Sequence, residues 1–263
     1  MSTHPAVPYR LEFSVEVPGT PQEVWQALAT AQGMSAWFVP TEMEEREGGS
    51  LHFTMGPDMG SDGRVTGWEP PRRLVYEEDW AALMGTDPDA LSALTSEFVV
   101  EARSGGTCVV RVTSSGFGTG AAWEEAFWDS MGANWLPYFD NLRLYLAHFT
   151  GQEATPMEAS ASFPGAPEAL WGAVLDGLRL GGEGEVVELR GTTGTVERLG
   201  DQQALLRLTA PVPGMLTLAT YGGRDGTAVA GVRGYLFSAD AADYVRREEP
   251  AWQAWLRGLS GQA

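Results

Sequence analysis

The sequence contains no lysine, and its 17 basic residues are all arginine, against 35 acidic residues. The formal net charge is −18, of which −13 falls on residues 1–150 and −5 on the remainder. Binding to nucleic-acid phosphates or to anionic lipid requires clustered positive charge, and no such cluster is present. We therefore expect no nucleic-acid or membrane partner, and we attribute the acidity to solubility.

Cysteine, histidine and long apolar runs are also scarce. Cys108 is the only cysteine, which excludes an intramolecular disulfide and predicts a reducing, cytoplasmic location. No run of about 18 apolar residues is present, and the N-terminus lacks the pattern of a secretory signal. The spacing of histidines and carboxylates matches no metal site, so we expect neither a metal nor another cofactor. Since His52 alternates with Leu51 and Phe53, it is predicted to face away from them and to lie on the surface.

The sequence does contain an internal repeat. VPGTPQEVWQAL at 17–28 recurs as FPGAPEALWGAV at 163–174, a constant offset of 146 residues. A Gly-Thr pair also precedes a late strand in each copy, at 106–107 and at 226–227. The repeat predicts two related domains, 1–150 and 157–263, with the boundary in the polar stretch between them.

Local patterns indicate what each copy contains. In the first copy Thr20 and Glu23 have the spacing of a capping box, which predicts a helix start. Alternation of apolar and polar residues, with turn residues between, predicts strands at 50–55, 63–68, 74–78, 97–102 and 109–113. An apolar stripe from Trp128 to Phe149 predicts a long final helix. Strands followed by one long helix indicate an α+β fold.

The combined motif order resembles a known family. The motifs are the helix P-x-x-V-W-x-A-L, Trp37-Phe38, Glu47-Gly48-Gly49, the segment Gly67-Trp68-Glu69-Pro70-Pro71-Arg72-Arg73-Leu74, Gly106-Thr107, Ser115-Gly116-Phe117 and a final helix containing tryptophan. They resemble the family related to the activator of the ninety-kilodalton heat-shock protein ATPase, within the START-like (SRPBCC, polyketide-cyclase-like) superfamily. The resemblance implies two tandem helix-grip domains, each a curved antiparallel sheet around a long C-terminal helix, the second shorter.

The resemblance also implies a cavity between the sheet and the final helix, but no catalytic residue carries over from it. We expect aromatic and thioether side chains of the first copy to line this cavity. The candidate ligand-binding residues are Trp37, Phe53, Met55, Tyr76, Trp80, Phe98, Trp128, Met131, Trp135 and Tyr138. Tyr76 and Trp80 would add a hydrogen-bonding group to an apolar body. The stretch 81–95 is a candidate lid, and a plain loop insertion explains it nearly as well.

Three functions follow from these expectations. The leading hypothesis is non-catalytic binding of a small apolar or aromatic molecule in the first copy, with the second copy mainly structural. The first alternative is a co-chaperone-like module that binds a protein partner through an exposed patch. The second alternative is a polyketide cyclase-like enzyme, which would need titratable groups facing inward, for example Arg64 with Tyr76 or Asp79.

One further motif imitates a nucleotide site. Gly116-Phe117-Gly118-Thr119-Gly120-Ala121 follows a strand and precedes a helix, as a dinucleotide fingerprint does. The surrounding strands suit antiparallel hairpins, and no strand with a ribose-binding acid follows. These glycines are therefore predicted to let the chain turn sharply from the last strand into the final helix.

Overall fold

The computed structural model describes residues 7–56, 59–79, 81, 92–223 and 226–259, with the side chains at 126, 130 and 132–136 left outside the described set. The chain divides into two compact units, Met1–Gly151 and Gln152–Ala263. Each unit consists of an antiparallel sheet and a long C-terminal helix. The predicted α+β class with two helix-grip domains is confirmed.

The first unit contains a seven-stranded sheet with the order β1-β7-β6-β5-β4-β3-β2, in which all neighbours are antiparallel. Its strands are β1 (Val7–Pro18), β2 (Thr41–Met43), β3 (Ser50–Gly56), β4 (Met59–Glu69), β5 (Arg73–Glu78), β6 (Leu94–Ala102) and β7 (Thr107–Gly118). Its helices are α1 (Pro21–Ala29), α2 (Ala31–Ser35) and α3 (Ala122–His148). Each strand predicted from alternation is present, and most extend beyond the predicted bounds because residues at the sheet edges and turns also pair.

The second unit contains a six-stranded sheet with the order β8-β13-β12-β11-β10-β9, again antiparallel throughout. Its strands are β8 (Thr155–Pro164), β9 (Val186–Leu189), β10 (Thr192–Leu199), β11 (Gln203–Ala210), β12 (Gly214–Gly222) and β13 (Thr227–Leu236). Its helices are α4 (Pro167–Leu178) and α5 (Ala241–Gly258). The order is that of the first sheet with one strand fewer, which matches the shorter second copy of the repeat.

The repeated residues occupy equivalent places in the two units. Gly19 and Gly165 have φ angles of +109° and +116°, a conformation that L side chains rarely adopt, and each connects the first strand to the first helix. Trp25 and Trp171 are both buried. The sequence repeat therefore reflects a structural repeat, because the same turn and the same indole recur at the same step of the fold.

The two first helices begin differently despite this equivalence. Thr20 caps α1: its hydroxyl accepts from the Glu23 amide, and the Glu23 carboxylate accepts from the Thr20 amide. These bonds from Thr20 lower the pKa of Glu23. The predicted capping box is thus confirmed, whereas the N-cap of α4 is Ala166, which offers no side-chain acceptor.

Helix α3 packs on the first strand of its own sheet. Phe139 of α3 meets Phe13 of β1 edge to face, with 5.1 Å between ring centroids. The face of the sheet on the side of α3 is buried, and it includes Phe13, Phe53 and Phe98. We call this face the inner face. Among the described residues, no helix has the length and hydropathy required to span a bilayer.

Candidate functional site

An aromatic groove lies where β1, β6 and β7 meet the first turns of α3. Its walls are Tyr9, Ser92, Leu94, Gly116, Phe117, Gly118, Trp123, Glu124, Phe127 and Trp128. The space enclosed between them is about 30 Å³, enough for about two water molecules. A ligand larger than water must therefore occupy the mouth of the groove or displace side chains from it.

Some aromatic side chains of the groove contact one another, and others are exposed to solvent. Tyr9 and Trp128 stack with 5.5 Å between centroids and 9° between planes, and Phe127 meets Trp128 edge to face at 6.1 Å. Phe117 and Trp123, in contrast, are 55% and 41% exposed. Trp123 thus presents an aromatic ring to solvent beside the stacked pair, whereas Phe117, between the inward-facing Gly116 and Gly118, directs its ring to the opposite face of the sheet.

A buried carboxylate fixes the turn that forms one wall. Glu124, in the first turn of α3, is 2% exposed. Its Oε1 accepts from the amide of Thr119 at 3.0 Å and from the Thr119 hydroxyl at 2.7 Å. Its Oε2 accepts from the amide of Gly120 at 2.8 Å and from the Tyr9 hydroxyl at 3.2 Å. Desolvation raises the pKa of Glu124, but these four bonds together outweigh it and leave the pKa lowered.

Glycines make this arrangement possible, as the sequence predicted. A Cβ on Gly118 would come within 2.7 Å of the Glu124 carboxyl carbon, and Gly120 has a φ of +82°. The turn therefore wraps the backbone around the Glu124 carboxylate. Since all four donors on Glu124 belong to the protein, we interpret this residue as structural and not as catalytic.

The structure brings together several of the predicted ligand-binding residues. Ring contacts run from Trp37 through Phe38 to Phe53, Tyr76 and Phe98, with centroid separations of 5.5–5.8 Å, and Tyr138 meets Phe38 at 4.8 Å. Trp37, Phe53, Tyr76, Phe98 and Met131 are buried, and Met55 and Tyr138 are half-buried.

The remaining predicted residues lie elsewhere or outside the described set. Trp128 is the one predicted residue among those that line the aromatic groove. Trp80 and the side chain of Trp135 lie outside the described residues. Of the candidate lid, 82–91 lie outside them too, while Leu94 and Thr95 begin β6. The ligand-binding role of the ten residues stays a prediction.

A row of polar side chains lies on the inner face, two residues along the strands from the groove. Ser114, Ser96 and Tyr76 are direct cross-strand neighbours on β7, β6 and β5, and each is at most 1% exposed. We call these three residues the serine–tyrosine row. The two serine hydroxyls are 3.4 Å apart. Burying three hydroxyls side by side is unfavourable unless they find hydrogen-bond partners.

The Tyr76 hydroxyl is the least satisfied member of this row. It makes no hydrogen bond of normal length with any described residue. Burial raises the pKa of Tyr76 well above its usual value, the nearby Glu78 raises it further, and the Ser96 hydroxyl opposes the shift. Tyr76 is therefore a neutral phenol at physiological pH, able to donate a hydrogen bond.

Glu78 is an inward-facing acid of this region; of the groups that the sequence offered as examples, Tyr76 faces inward, whereas Arg64 and Asp79 do not. Arg64 and Asp79 are exposed, and the Arg64 guanidinium donates to the Gly48 carbonyl at 3.1 Å. Glu78 is 3% exposed and shares the face of Tyr76, two residues away. Side chains alternate along a strand, so Asp79 points away from Tyr76.

His52 conforms to the sequence prediction. It lies on the face opposite Leu51 and Phe53, and its Nδ1 is 2.7 Å from the Asp62 carboxylate. Tyr9, Trp123 and the two serines of the serine–tyrosine row were not among the residues predicted from the sequence. Period-two alternation could have placed Ser96 beside Phe98, but pairing register was needed to bring Ser96 beside Tyr76.

The family of the first unit follows from a comparison with known sequences. Residues 18–147 match the family of the Activator of Hsp90 ATPase homolog 1-like protein. That range is nearly the whole of the first unit. The first domain of this chain belongs to that family. The groove and the serine–tyrosine row therefore lie within an Activator of Hsp90 ATPase homolog 1-like domain.

The Activator of Hsp90 ATPase homolog 1-like domain and the second unit also resemble solved structures. The di-domain ARO/CYC protein BexL of the BE-7585A biosynthetic pathway is 13% identical, with 96% of this chain and 97% of BexL covered and a TM-score of 0.46. Protein MLL2253 from Mesorhizobium loti is 18% identical, with 54% and 98% covered and a TM-score of 0.47. The Aha1 dimer from Colwellia psychrerythraea is 19% identical, with 54% and 99% covered and a TM-score of 0.44. The search of curated proteins gave no match.

Proposed function

We propose that the first domain binds a small aromatic molecule, with one ring of the ligand held in the aromatic groove. The observation that carries the proposal is that Trp123, which is 41% exposed, lines the same depression as Phe127 and the stacked Tyr9–Trp128 pair. A large apolar side chain exposed singly needs no explanation, but one exposed beside other aromatic rings in a depression is typical of a binding site. Aromatic faces favour stacked or edge-on rings as partners.

The small enclosed volume is consistent with this mode of binding. Because Trp123 contacts solvent, it can change rotamer without opening the core. A flat ring then enters beside Trp123 and reaches Trp128. The ligand covers the exposed face of Trp123, and this burial supplies the driving force.

The second domain is less suited to a ligand because its interior is occupied by its own side chains. A continuous cluster of buried apolar residues fills the space between its sheet and its two helices, and it includes Trp171, Leu206, Leu216 and Trp252. The Trp171 Nε1–H donates to the Gly200 carbonyl at 3.2 Å, so this indole is satisfied internally. We assign the second domain a mainly structural role.

The groove is tested with 2-naphthol, a two-ring phenol, by equilibrium dialysis against the full chain. The variant Trp123→Ala removes the exposed ring of the groove and should weaken binding about fivefold, since a ring contact contributes about 0.5–1.5 kcal/mol. The control is Tyr221→Ala, which removes an aromatic side chain of the second domain that is 51% exposed. Equal affinities for the wild type and Trp123→Ala, or no binding by the wild type, would contradict the proposal.

A catalytic role is the second candidate, and one observation favours it. A polyketide cyclase-like enzyme needs inward-facing titratable groups, and Tyr76 and Glu78 meet that requirement. The test is product formation from a linear poly-β-ketone, followed by mass spectrometry. Under this alternative the product appears with wild type and is lost in Glu78→Gln.

A protein-partner role remains the third hypothesis. The strongly acidic first 150 residues would supply a charged surface for it. Pull-down from a native lysate separates it from ligand binding: a stoichiometric protein partner would support it, and a co-purified small molecule alone would count against it.

A further inference from the structure

The inner face of the first sheet gives chemical detail to the proposed binding function. Cross-strand register places Tyr9 opposite Gly116 and Leu94 opposite Glu78. Tyr9, Gly116 and Leu94 line the aromatic groove, so Glu78 is the next inner-face position beside the groove. Among the described residues, none of β5 lines the groove, so the inner face of β5 begins one strand beyond the groove wall at Leu94.

The serine–tyrosine row lies one step deeper. Ser96 follows Leu94 by two residues and Tyr76 precedes Glu78 by two, a distance of about 7 Å along each strand. The backbones of Tyr76 and Leu94 are therefore diagonal neighbours across the strand pair, about 7–8 Å apart. The Tyr76 ring contacts Phe53 and Phe98, so a two-ring molecule must extend from the groove past Leu94 to bring an oxygen to the Tyr76 hydroxyl.

Two buried hydroxyls of this region have no normal hydrogen bond within the described part of the protein. The buried hydroxyls of Tyr76 and Ser61 make no hydrogen bond of normal geometry with the described residues, and each residue is 1% exposed. The Ser96 hydroxyl is near enough to Tyr76 to lower its pKa, but this contact does not satisfy the Tyr76 hydroxyl. Buried hydroxyls in folded proteins are nearly always hydrogen-bonded, because leaving one unpaired is costly. An orphaned hydroxyl one step inside an apolar groove is typical of a site whose partner is a ligand atom.

We propose that Tyr76 is the specificity-determining residue of the first domain, donating a hydrogen bond to a neutral oxygen of the bound aromatic molecule. The ligand class is then an oxygenated aromatic, a phenol or an aryl ketone. This inference rests on the proposed binding function. Aromatic hydrocarbons would leave the Tyr76 hydroxyl unpaired, and carboxylates would place a negative charge beside the buried acid Glu78.

The experiment compares four probes that share a naphthalene ring, namely naphthalene, 2-naphthol, 2-acetylnaphthalene and 2-naphthoate. Equilibrium dialysis against the full chain should show the two neutral oxygenated probes binding about tenfold or more tightly than naphthalene and 2-naphthoate, because a polar site discriminates strongly against a ligand that leaves it unpaired. In Tyr76→Phe the preference over naphthalene should fall to about twofold or less, with naphthalene itself bound as well as before.

A thermal measurement without ligand provides a second readout. Tyr76→Phe removes an unpaired buried hydroxyl and should leave the melting temperature unchanged or raised. The control is Tyr145→Phe, because the Tyr145 hydroxyl accepts from the Gly151 amide at 3.1 Å. That variant should melt at a lower temperature and keep the probe preference.

The outcomes distinguish the inference from the function on which it rests. Binding of all four probes with equal affinity, or a preference that survives in Tyr76→Phe, overturns the inference and leaves aromatic binding in place. A fall in melting temperature for Tyr76→Phe as large as that for Tyr145→Phe also overturns it, since the hydroxyl would then have an internal partner. Binding of none of the probes by wild type overturns the proposed function and this subsite together.

Discussion

Replacing Glu124 by glutamine tests whether the turn beside the aromatic groove depends on a charged acceptor. The carboxylate accepts two backbone and two side-chain hydrogen bonds. Glutamine keeps one carbonyl oxygen, so it can satisfy only the donors on one side. Its amide group would face either Thr119 or the pair of Gly120 and Tyr9, all of which are donors.

The size of the effect follows from the bonds that are lost. A hydrogen bond to a charged group contributes about 1.5–3 kcal/mol, and two are replaced by donor–donor contacts in the variant. Thr119 and Gly120 are exposed, so water can satisfy part of the loss. We therefore expect a destabilisation of about 2 kcal/mol, or about 4–8 °C in melting temperature for a domain of this size.

The stability difference between wild type and Glu124→Gln should also depend on pH, in a defined direction. Hydrogen bonding leaves the folded pKa of Glu124 below its usual value near 4.5. A group with a lowered folded pKa contributes stability that is present above the unfolded value and is lost as the pH falls through the folded value. The difference in unfolding free energy between wild type and Glu124→Gln should therefore have its full value at neutral pH and should shrink once the pH falls below about 4.5.

Differential scanning calorimetry of the full chain, at about pH 7 and about pH 3.5, measures both effects. The matched control is Glu125→Gln, which removes the same charge from the same helix turn at an exposed position. The assignment of Glu124 as a structural acceptor is refuted if Glu124→Gln and Glu125→Gln have the same melting temperature at neutral pH. It is also refuted if the loss of stability of Glu124→Gln relative to wild type grows on acidification.

Two further predictions concern the helix starts of the repeat. Thr20→Ala should destabilise the chain by about 1 kcal/mol, because it leaves the Glu23 amide without its cap; urea denaturation measures the loss, and an unchanged midpoint would contradict it. The double substitution Ala166→Thr, Ala169→Glu transfers the capping box to α4, which has no side-chain cap. It should stabilise the chain by about 0.5–1 kcal/mol in the same assay, with Ala166→Val, Ala169→Glu as the control that keeps the shape of threonine without the acceptor.

Much of the fold could be predicted because local signals agreed with one another. The repeat of Trp25 at Trp171, the capping box at Thr20 and the alternation in β3 to β7 each report on short stretches of chain. Their physical causes, namely turn geometry, helix capping and one buried sheet face, act within a few residues. Such causes can be recognised in one sequence without knowledge of the rest of the structure.

The site was harder to predict because it depends on register. The inward acid was sought at Asp79, while Glu78 occupies the inner face, and a shift of one residue reverses every side chain of a strand. The serine–tyrosine row joins residues from three strands, and Tyr9 reaches the groove from the far end of β1. No local pattern links these positions, since only strand pairing and the Glu124 turn bring them together.

The most direct test of the account is a crystal structure of the full chain with 6-bromo-2-naphthol, in which the bromine locates one end of the ligand by anomalous scattering and the hydroxyl marks the other. The account predicts a bromine peak in the aromatic groove, beside Trp128, and the ligand oxygen within hydrogen-bonding distance of the Tyr76 hydroxyl. A bromine peak in the second domain, or a ligand in the groove whose oxygen points to solvent, would contradict it.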